Sequence, residues 1–237
     1  MRIPLTKYGL PQVVVYPAVT IIVMAVLLPA TISILPPWAV VLIQLPFAAL
    51  LILSLSFFRD PHRVCPSDKN LLLAPADGKI TEIEIIKGNE LIDGDMMKIG
   101  IFLSIFNTHI NRAPCNTKIE KITYKKGKYL NALNPRSGQI NESNDLEMVR
   151  TDAPNDRLIV RQISGAIARR IVCDKTTGQE LIGGEKIGMI KFGSRTELYL
   201  PARKNAQCLV KIGDKVKAGL TPLVRYSPEN TEGQTQD

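Results

Sequence analysis

The feature that most constrains this chain is a long uncharged stretch near its N-terminus. Between Tyr8 and Phe58 there is no Asp, Glu, Lys or Arg, and two apolar runs, about Val13–Leu35 and about Trp38–Phe58, are separated by Pro36-Pro37. Each run is at least as long as the roughly 20 residues that a helix needs to cross a bilayer. A Pro-Pro pair interrupts a helix. The sequence therefore predicts an apolar, membrane-associated helical hairpin.

The charges at the two ends of this hairpin, which we assign to residues 1–58, indicate its orientation. Arg2 and Lys7 precede the first run, and Arg59 and Arg63 follow the second. Positive flanks stay on the cytoplasmic side of a membrane, so we expect a cell-membrane protein whose remaining domain faces the cytoplasm. A second arrangement, with both helices lying in one leaflet, stays open because each run contains a proline.

The rest of the chain has the pattern of a β-protein, with short apolar or alternating runs separated by turn signals such as Asp93-Gly94. The clearest strand candidates are Leu71–Ala74, Lys79–Ile85, Met97–Leu103, Lys118–Tyr124, Arg157–Ile163, Ile167–Val172, Gly188–Phe192, Glu197–Leu200 and Cys208–Ile212. We predict a mainly β barrel or sandwich over residues 59–226, followed by a polar tail at 227–237. Within it, the GDKVKAG segment at 213–219 has the turn–strand–turn pattern of a lipoyl-like flattened barrel.

Composition narrows the choice of partners. The formal net charge is +8, but the basic residues form no cluster interleaved with aromatics, so nucleic acid is a poor fit. A modest basic excess suits a phospholipid surface, and it suits an ordinary solvated protein equally well. The four cysteines form no CxxC pair and the chain has 2 histidines. We therefore expect free thiols and no metal site.

Few residues in this chain are suited to chemistry. His109 lies in a polar His-x-Asn-Arg cluster just after an apolar strand candidate, and Asp77 lies in an Asp-Gly turn. Each of these residues also has a purely structural interpretation in place of a catalytic one. A buried histidine is often bonded to backbone, and Asp-Gly is a turn signal. Gly193-Ser194 lies between two strand-like runs and, by itself, reads as an ordinary turn.

Four motifs occur in order along the chain: FFRDPHR at 57–63, APADGKI at 74–80, FLSIFNTHINRAP at 102–114 and KFGSRTELYLP at 191–201. Together they resemble the phosphatidylserine decarboxylase family in its short prokaryotic form, over about residues 50–225. The resemblance implies a proenzyme that cuts itself between Gly193 and Ser194. The large chain 1–193 and the small chain 194–237 then stay together, and Ser194 becomes a covalent pyruvoyl group.

The resemblance also implies roles for individual residues. Asp77 and His109 assist the self-cleavage, and the pyruvoyl group at position 194 forms a Schiff base with the serine headgroup. Phosphatidylserine then loses CO₂ and becomes phosphatidylethanolamine. Asn111, Arg112 and Arg195 are candidates for holding the headgroup. We expect arginine to hold the phosphate, because decarboxylation favours an apolar place for the carboxylate.

Two of these positions depart from the family's pattern. Arg195 stands where family members commonly have threonine, and Arg112 stands where longer relatives have a second histidine. The second departure leaves open how the roles are divided between His109 and Arg112.

Elementary chemistry agrees with these roles. Ser194 Oγ must attack the carbonyl carbon of Gly193, and glycine there tolerates backbone conformations that other residues do not. A hydroxyl is a weak nucleophile, so it needs a neighbouring base, for which we expect His109 oriented by Asp77. The new carbonyl then stabilises a carbanion as pyridoxal phosphate does elsewhere, so we expect neither that cofactor nor a metal.

Three matters stay open at the level of sequence. The substrate could be an ether-linked archaeal serine phospholipid, since the headgroup chemistry would be the same. A different class of protein, a non-catalytic membrane-anchored β-barrel that binds a lipid or partner, would leave Gly193-Ser194 as a turn. The oligomeric state is not specified by any of these patterns.

Overall fold

The computed structural model describes residues 5–89, 94–134, 136–166, 170–191 and 193–227. It divides into two compact units. One comprises the described residues up to His62 together with Ile105–Thr108, and the other comprises Arg63–Ser104 and the described residues from His109 onward. Strand is commoner than helix, at 38% against 23% of the described residues, which confirms the predicted mainly β fold.

The first unit is built on two helices, α1 (Gln12–Ile32) and α2 (Pro37–Phe57), which form the predicted apolar hairpin. Proline suits the first position of α2, because its missing N–H has no partner there in any helix. Each helix has 21 residues and a mean hydropathy of 2.4. At about 1.5 Å per residue each is about 30 Å long, so both are long and apolar enough to cross a membrane.

Polar side chains of this unit are hydrogen-bonded to its own backbone. Gln44 Nε2 of α2 donates to the carbonyl of Met24 in α1 at 3.3 Å. Arg59 follows α2 and donates to the carbonyls of Ser56, at 2.6 Å, and of Phe106, at 2.7 Å. A helix leaves its last carbonyls without partners, and a basic side chain at this end satisfies one of them.

The second unit is made of antiparallel strands. Its elements are β1 (Leu71–Leu73), β2 (Gly78–Asn89), β3 (Gly94–Leu103), β4 (Ile110–Arg112), β5 (Thr117–Lys125), α3 (Ser137–Ile140), β6 (Ser143–Arg150), β7 (Arg157–Ile163), β8 (Ile171–Val172), β9 (Glu180–Leu181), β10 (Lys186–Ile190), β11 (Ser194–Pro201), β12 (Ala206–Cys208), β13 (Lys215–Val216) and β14 (Pro222–Tyr226). The largest sheet has the order β13-β2-β3-β11-β7-β6-β5-β9 and curls into a half-barrel. Two three-stranded sheets, β1-β14-β12 and β4-β10-β8, complete the unit.

Strand β11 lies in the middle of the large sheet, between β3 and β7. Its even-numbered side chains, including Leu198 and Leu200, face the main hydrophobic core, while Tyr199 packs on the other face with Met96 and Ile159. Because both faces are buried, β11 is buried along nearly its whole length. Because side chains alternate along a strand, those of β11 form two sets. The inner set is even-numbered and faces the main core, and the outer set is odd-numbered and lies on the opposite face.

Most predicted strands lie where the sequence placed them. Strands β4, β6, β9 and β14 were not predicted, and Cys208–Ile212 is extended only at its start, in β12. The predicted run Ile167–Val172 and the Asp93-Gly94 turn each lie partly outside the described residues. Nearly all of the polar tail lies outside them. In segment 213–219, β13 pairs with β2, and both flanking glycines have positive φ.

Candidate active site

The junction between Gly193 and Ser194 lies at the start of β11. Ser194 is the first residue of the strand, and Gly193 directly precedes it in a left-handed conformation. Gly193 has a φ of 60°, in the region that glycine adopts readily and other residues avoid. A Cβ at position 193 would meet nothing within 4 Å. Backbone conformation, and not lack of space, therefore calls for glycine here.

Ser194 is fully buried, opposite Leu103 of β3. Its Oγ has no hydrogen-bond partner among the described residues. Leaving a buried polar group without a partner costs about 1–3 kcal/mol, and such groups are rare enough in native folds to call for an explanation. A buried hydroxyl in this state, next to a left-handed glycine, therefore calls for a functional explanation.

Gly165, which sequence analysis did not single out, packs against the carbonyl of Gly193. A Cβ at position 165 would lie 1.6 Å from that carbonyl oxygen and 2.8 Å from its carbon. Real Cβ atoms do not approach so closely, so a larger residue would displace the carbonyl. Gly165 thus fixes the place of the carbonyl that Ser194 Oγ would attack. Glycine in a Ser-Gly-Ala sequence gave no signal of this contact.

Asp77 is held by an arginine from the end of the first motif. Arg63 donates to both carboxylate oxygens of Asp77, at 2.6 and 2.7 Å, and to the carbonyl of Ala218 at 2.6 Å. The backbone N–H of Ala218 donates to the same carboxylate at 2.8 Å. Both charged side chains are nearly buried, at 6% and 10% exposed. A bidentate pair of this kind fixes the orientation of the carboxylate.

His109 is fully buried, and it lies immediately before β4. Its carbonyl accepts a hydrogen bond from the N–H of Ile190 at 3.2 Å, at the end of the strand that leads to Gly193. His109 and Asn111 lie two residues apart along an extended segment, so their side chains share a face. The backbone therefore brings His109 close to the segment that leads to Gly193.

The amide of Asn111 joins the Asp77 loop, β4 and β11. Its Nδ2 donates to Thr196 Oγ1 at 2.9 Å and to the carbonyl of Pro75 at 3.3 Å. Its Oδ1 accepts from Gln162 Nε2 at 2.9 Å, and Gln162 Oε1 accepts in turn from Asn144 Nδ2 at 3.0 Å. All of these side chains are buried. The amide of Asn111 is therefore occupied by protein groups that hold the site together.

The two arginines expected at the headgroup lie in different surroundings. Arg112 is buried, and its Nη1 donates to the carbonyl of Gly184 at 2.8 Å. Arg195 belongs to the outer set of β11, on the face opposite Ser194, where its guanidinium passes over Gly100 to Glu82. Arg195 Nε also donates to Glu197 at 2.7 Å. The structure thus does not bring the Arg195 side chain to the Ser194 face.

One further charged group lies beside the junction. Lys191 is almost fully buried, just ahead of Gly193. Burial disfavours its charged amine and, with the nearby positive charge of Arg170, lowers the pKa of Lys191 below the usual lysine value. Sequence analysis did not identify this residue, since a lysine in a strand-like run is usually exposed.

The sequence also matches known proteins. The family model described as phosphatidylserine decarboxylase matches residues 50–223. The chain belongs to the phosphatidylserine decarboxylase family. Three relatives bear the name phosphatidylserine decarboxylase proenzyme. The one from Pelagibacter ubique is 44% identical over 71% of this chain and 78% of its own, and the one from Desulfotalea psychrophila is 42% identical over 72% and 78%. The third, from Rhodopirellula baltica, is 35% identical over 94% of this chain and 89% of its own.

The family match also covers the end of α2 and all the motifs that the structure brings together. The family motifs are joined by side-chain hydrogen bonds that include Arg63 with Asp77, Asn111 with Pro75, and Asn111 with Thr196. Phosphatidylserine decarboxylases are carboxy-lyases, so the predicted enzyme class is confirmed. The proenzyme name of the relatives also fits an enzyme that is made in an uncut form.

Proposed function

We propose that this chain is a membrane-associated proenzyme that cuts itself before Ser194 and then decarboxylates phosphatidylserine to phosphatidylethanolamine. The observation that carries this proposal is the buried Ser194 hydroxyl, which lacks a hydrogen-bond partner among the described residues and follows a left-handed glycine. In a member of this family, that pair is the position at which the prosthetic pyruvoyl group is expected. Among the described residues, Gly193 and Gly165 lie beside the bond to be cut and have no side chains, which fits a site for this group.

Self-cleavage begins with Ser194 Oγ and ends with two chains. Oγ bonds to the carbonyl carbon of Gly193, the C–N bond breaks, and the Oγ proton ends on the nitrogen of residue 194. A base then removes the Cα proton of residue 194, the Cβ–Oγ bond breaks, and Gly193 leaves as a carboxylate. The remaining enamine tautomerises and is hydrolysed by water, which releases ammonia and leaves a keto group. Gly165 supports this sequence by fixing the attacked carbonyl.

Two residues are assigned to proton handling and orientation. His109 is our proposed base, since imidazole titrates near neutral pH and a positioned acid or base typically contributes about 10²–10⁴-fold. Asp77 is proposed to assist from the loop that Asn111 joins to β11, with its carboxylate oriented by Arg63. Asn111 and Arg112 act in this proposal mainly by positioning, because their side chains already bond protein groups. Arg195 is not retained as a headgroup ligand.

When present, the pyruvoyl group supplies a carbonyl that takes up the electron pair left by departing CO₂. The protein's own part is to exclude water and deliver a proton. On the β3 side of Ser194 the inner face is apolar, because Leu103 lies directly opposite Ser194 and belongs to the main core. Such surroundings destabilise a carboxylate and favour its loss. His109 is proposed to return a proton to the carbon that has lost CO₂.

The large chain 1–193 and the small chain 194–237 are proposed to stay associated after the cut. The small chain would begin with β11, which is hydrogen-bonded to β3 on one side and to β7 on the other. It would also carry β14, which pairs with β1 of the large chain. These ladders, with the core side chains on them, link the two chains without a covalent bond.

The hairpin is proposed to insert into the cell membrane with the second unit on the cytoplasmic side. Its support is the length and apolar character of α1 and α2, together with basic residues at both ends of the hairpin. A membrane location suits a substrate with two hydrocarbon chains, which stays in the bilayer. An anionic headgroup also suits the net positive charge of the protein.

The test is a decarboxylation assay with the purified full-length protein and vesicles that contain phosphatidylserine. We expect phosphatidylethanolamine and CO₂ from the wild type, neither from Ser194→Ala, and both from the control Ser137→Ala. Vesicles of an ether-linked serine phospholipid decide between the two substrate classes. A non-catalytic lipid-binding module would bind the vesicles and form no product, which would overturn the proposal.

A further inference from the structure

A second buried hydroxyl lies beside Ser194 and has no role in the proposed chemistry. Ser164 follows directly after β7 and is fully buried. Its Oγ, like that of Ser194, has no hydrogen-bond partner within the described part of the chain. Two such hydroxyls in one site are unexpected, because each costs about as much free energy as a lost hydrogen bond.

The register of β7 against β11 places the two serines opposite each other. The ladder pairs Arg195 with Ile163, so the next antiparallel pair is Ser194 with Ser164. The pair after that is Gly193 with Gly165, whose contact at the Gly193 carbonyl indicates that the alignment continues past the last ladder pair. Directly opposed residues point to the same face, with Cβ atoms about 4.5–5.5 Å apart. Rotation about the Cα–Cβ bonds then brings the two hydroxyls within hydrogen-bonding distance.

Hydrogen bonds hold both the N–H and the carbonyl of Ser164, so its hydroxyl can change position only by rotation about the Cα–Cβ bond. The N–H of Ser164 donates to the carbonyl of Glu142 at 2.9 Å, and its carbonyl accepts from Asn141 Nδ2 at 2.8 Å. Asn141 is itself fully buried and is bonded to the backbone of Leu130. This frame fixes the position of the Ser164 Cβ against the junction.

We propose that Ser164 is a positioning residue for the self-cleavage at Ser194. Its hydroxyl accepts a hydrogen bond from Ser194 Oγ–H and holds that oxygen in the rotamer from which it attacks the Gly193 carbonyl. Oγ then bonds to the carbonyl carbon as the C–N bond breaks, and its proton passes to the departing nitrogen. Ser164 is neutral and remains unchanged, since a serine hydroxyl carries two lone pairs and one proton and is not a base at neutral pH.

The energetics favour this role over simple packing. In the resting fold neither hydroxyl has a partner among the described residues. A hydrogen bond that forms only as the reactive geometry is reached stabilises that geometry relative to the resting state, which is the condition for a faster reaction. Replacing Ser164 by alanine would remove a buried polar atom without a partner, so it should leave the stability of the fold unchanged or raise it.

The inference rests on the proposed function, and the experiment separates the two. Full-length proenzyme is made by cell-free synthesis with lipid vesicles, and the appearance of the small chain is followed with time on denaturing gels. Wild type, Ser164→Ala, Ser194→Ala and Ser137→Ala are compared. Ser137 is an equally buried serine whose hydroxyl bonds the carbonyl of Ala132. Stability is measured in the Ser194→Ala background, with and without Ser164→Ala, so that both proteins stay uncut.

We expect Ser164→Ala to slow the cut roughly three- to tenfold, the effect of losing one neutral hydrogen bond, with a melting temperature equal to or above that of its parent. Ser137→Ala should be cut at the wild-type rate. Cleavage of Ser164→Ala at the wild-type rate would overturn the inference and leave the proposed function intact. A lower melting temperature would also overturn it, because lost packing would then explain slow cleavage. A wild type that is never cut would refute the proposed function itself.

Discussion

The ion pair between Arg63 and Asp77 matters at the scale of single residues because both side chains are almost entirely out of water. Removing one partner of a buried pair leaves the other charge uncompensated. We therefore expect Arg63→Met to lower the free energy of unfolding by about 3–5 kcal/mol. The measurement is denaturant unfolding in the Ser194→Ala background, where the chain stays in one piece.

An exposed ion pair provides the matched control for this prediction. Arg157 lies 3.4 Å from Glu120, with side chains 63% and 43% exposed. Pairs of that kind contribute about 0–1 kcal/mol, so Arg157→Met should change stability little. The double variant Arg63→Met/Asp77→Leu should recover part of the loss, since it removes the orphaned charge. Equal losses from Arg63→Met and Arg157→Met would contradict our account of the pair.

Gly165 gives a second prediction about a single residue. Alanine at this position would place its Cβ on the Gly193 carbonyl oxygen, so the carbonyl that Ser194 Oγ attacks must be displaced from its present position. Misplacement of a reacting group by about 1 Å can cost on the order of 10²-fold. We expect Gly165→Ala to leave most of the chain uncut after a time in which the wild type is cut fully.

The control for Gly165→Ala is Gly178→Ala. Gly178 has a φ of 86° and open space around its Cβ direction, so alanine there has a backbone cost but no clash near Ser194. Gels of the two variants, made side by side, measure the effect. Full cleavage of Gly165→Ala would contradict the assignment of Gly165 as the residue that fixes the carbonyl.

Strand β11, at the scale of secondary-structure elements, keeps Ser194 and Arg195 on opposite faces. The Arg195 guanidinium bonds Glu197 and Glu82, and Glu197 is itself buried. We expect Arg195→Met to lower the melting temperature, because it leaves Glu197 without its counter-charge. In the fraction that is cut, KM for phosphatidylserine should be unchanged. A raised KM at unchanged stability would instead support the headgroup role that the sequence suggested.

The same outer-face network predicts a pH dependence. Burial acts to raise the pKa of Glu82, but the hydrogen bond from Lys98 and the charge of Arg195 outweigh it, so the pKa lies below its ordinary value of 4.5. A carboxyl group of this kind stabilises the fold above its unfolded pKa, and that stability is lost as pH falls through the lower folded pKa.

The variant Glu82→Gln tests this dependence. It should be less stable than the wild type at neutral pH, and the difference should shrink as pH falls from 4.5 through the lowered pKa of Glu82. Melting temperatures across that range, with the exposed control Glu120→Gln, provide the measurement. A difference between Glu82→Gln and wild type that stays constant with pH would show that the charge of Glu82 is not involved.

Elements with strong local patterns were predictable, and those that depend on distant partners were not. The alternation in β2 and the apolar run of β3 specify strands by themselves. Strand β6, SNDLEMVR, places Asn144 in the amide chain of Asn111 and Asp145 in an ion pair with Arg161. Its polar residues therefore have buried partners that local sequence does not reveal.

The candidate active site, too, could be predicted only in part from the sequence. Gly193, Ser194, Asp77 and His109 lie in recognisable motifs, but the motifs do not reveal which residues they contact. Arg63 was read as a flanking charge of the hairpin, whereas it bonds Asp77. The contacts of Gly165 and Ser164 depend on the register of β7 against β11, which no local pattern specifies.

At the scale of the whole molecule, we expect the hairpin to determine how the protein binds a membrane. Helices as apolar as α1 and α2 would bind by burial in hydrocarbon, and such binding is insensitive to salt. Binding by surface charge would weaken as salt screens it, since the screening length falls to about 3 Å at 1 M. We expect the full-length protein to float with vesicles of neutral lipid at both low and high salt.

The flotation result also separates insertion from charge attraction. Release of the protein by high salt, or binding only to anionic vesicles, would contradict insertion. Protease treatment of oriented vesicles then distinguishes the two arrangements of the hairpin. Cleavage near Pro36-Pro37 from the side opposite the second unit supports spanning helices, and protection from that side supports helices in one leaflet.

The central claim is that Ser194 is consumed to make the prosthetic group. Intact mass spectrometry of the purified protein, run with a denaturing gel, tests it most directly. We expect two chains, 1–193 and 194–237, with the small chain lighter by one ammonia than a chain beginning with serine and resistant to sequential degradation from its N-terminus. A full-length chain in a preparation that decarboxylates phosphatidylserine, or a small chain that begins with intact serine, would contradict the claim.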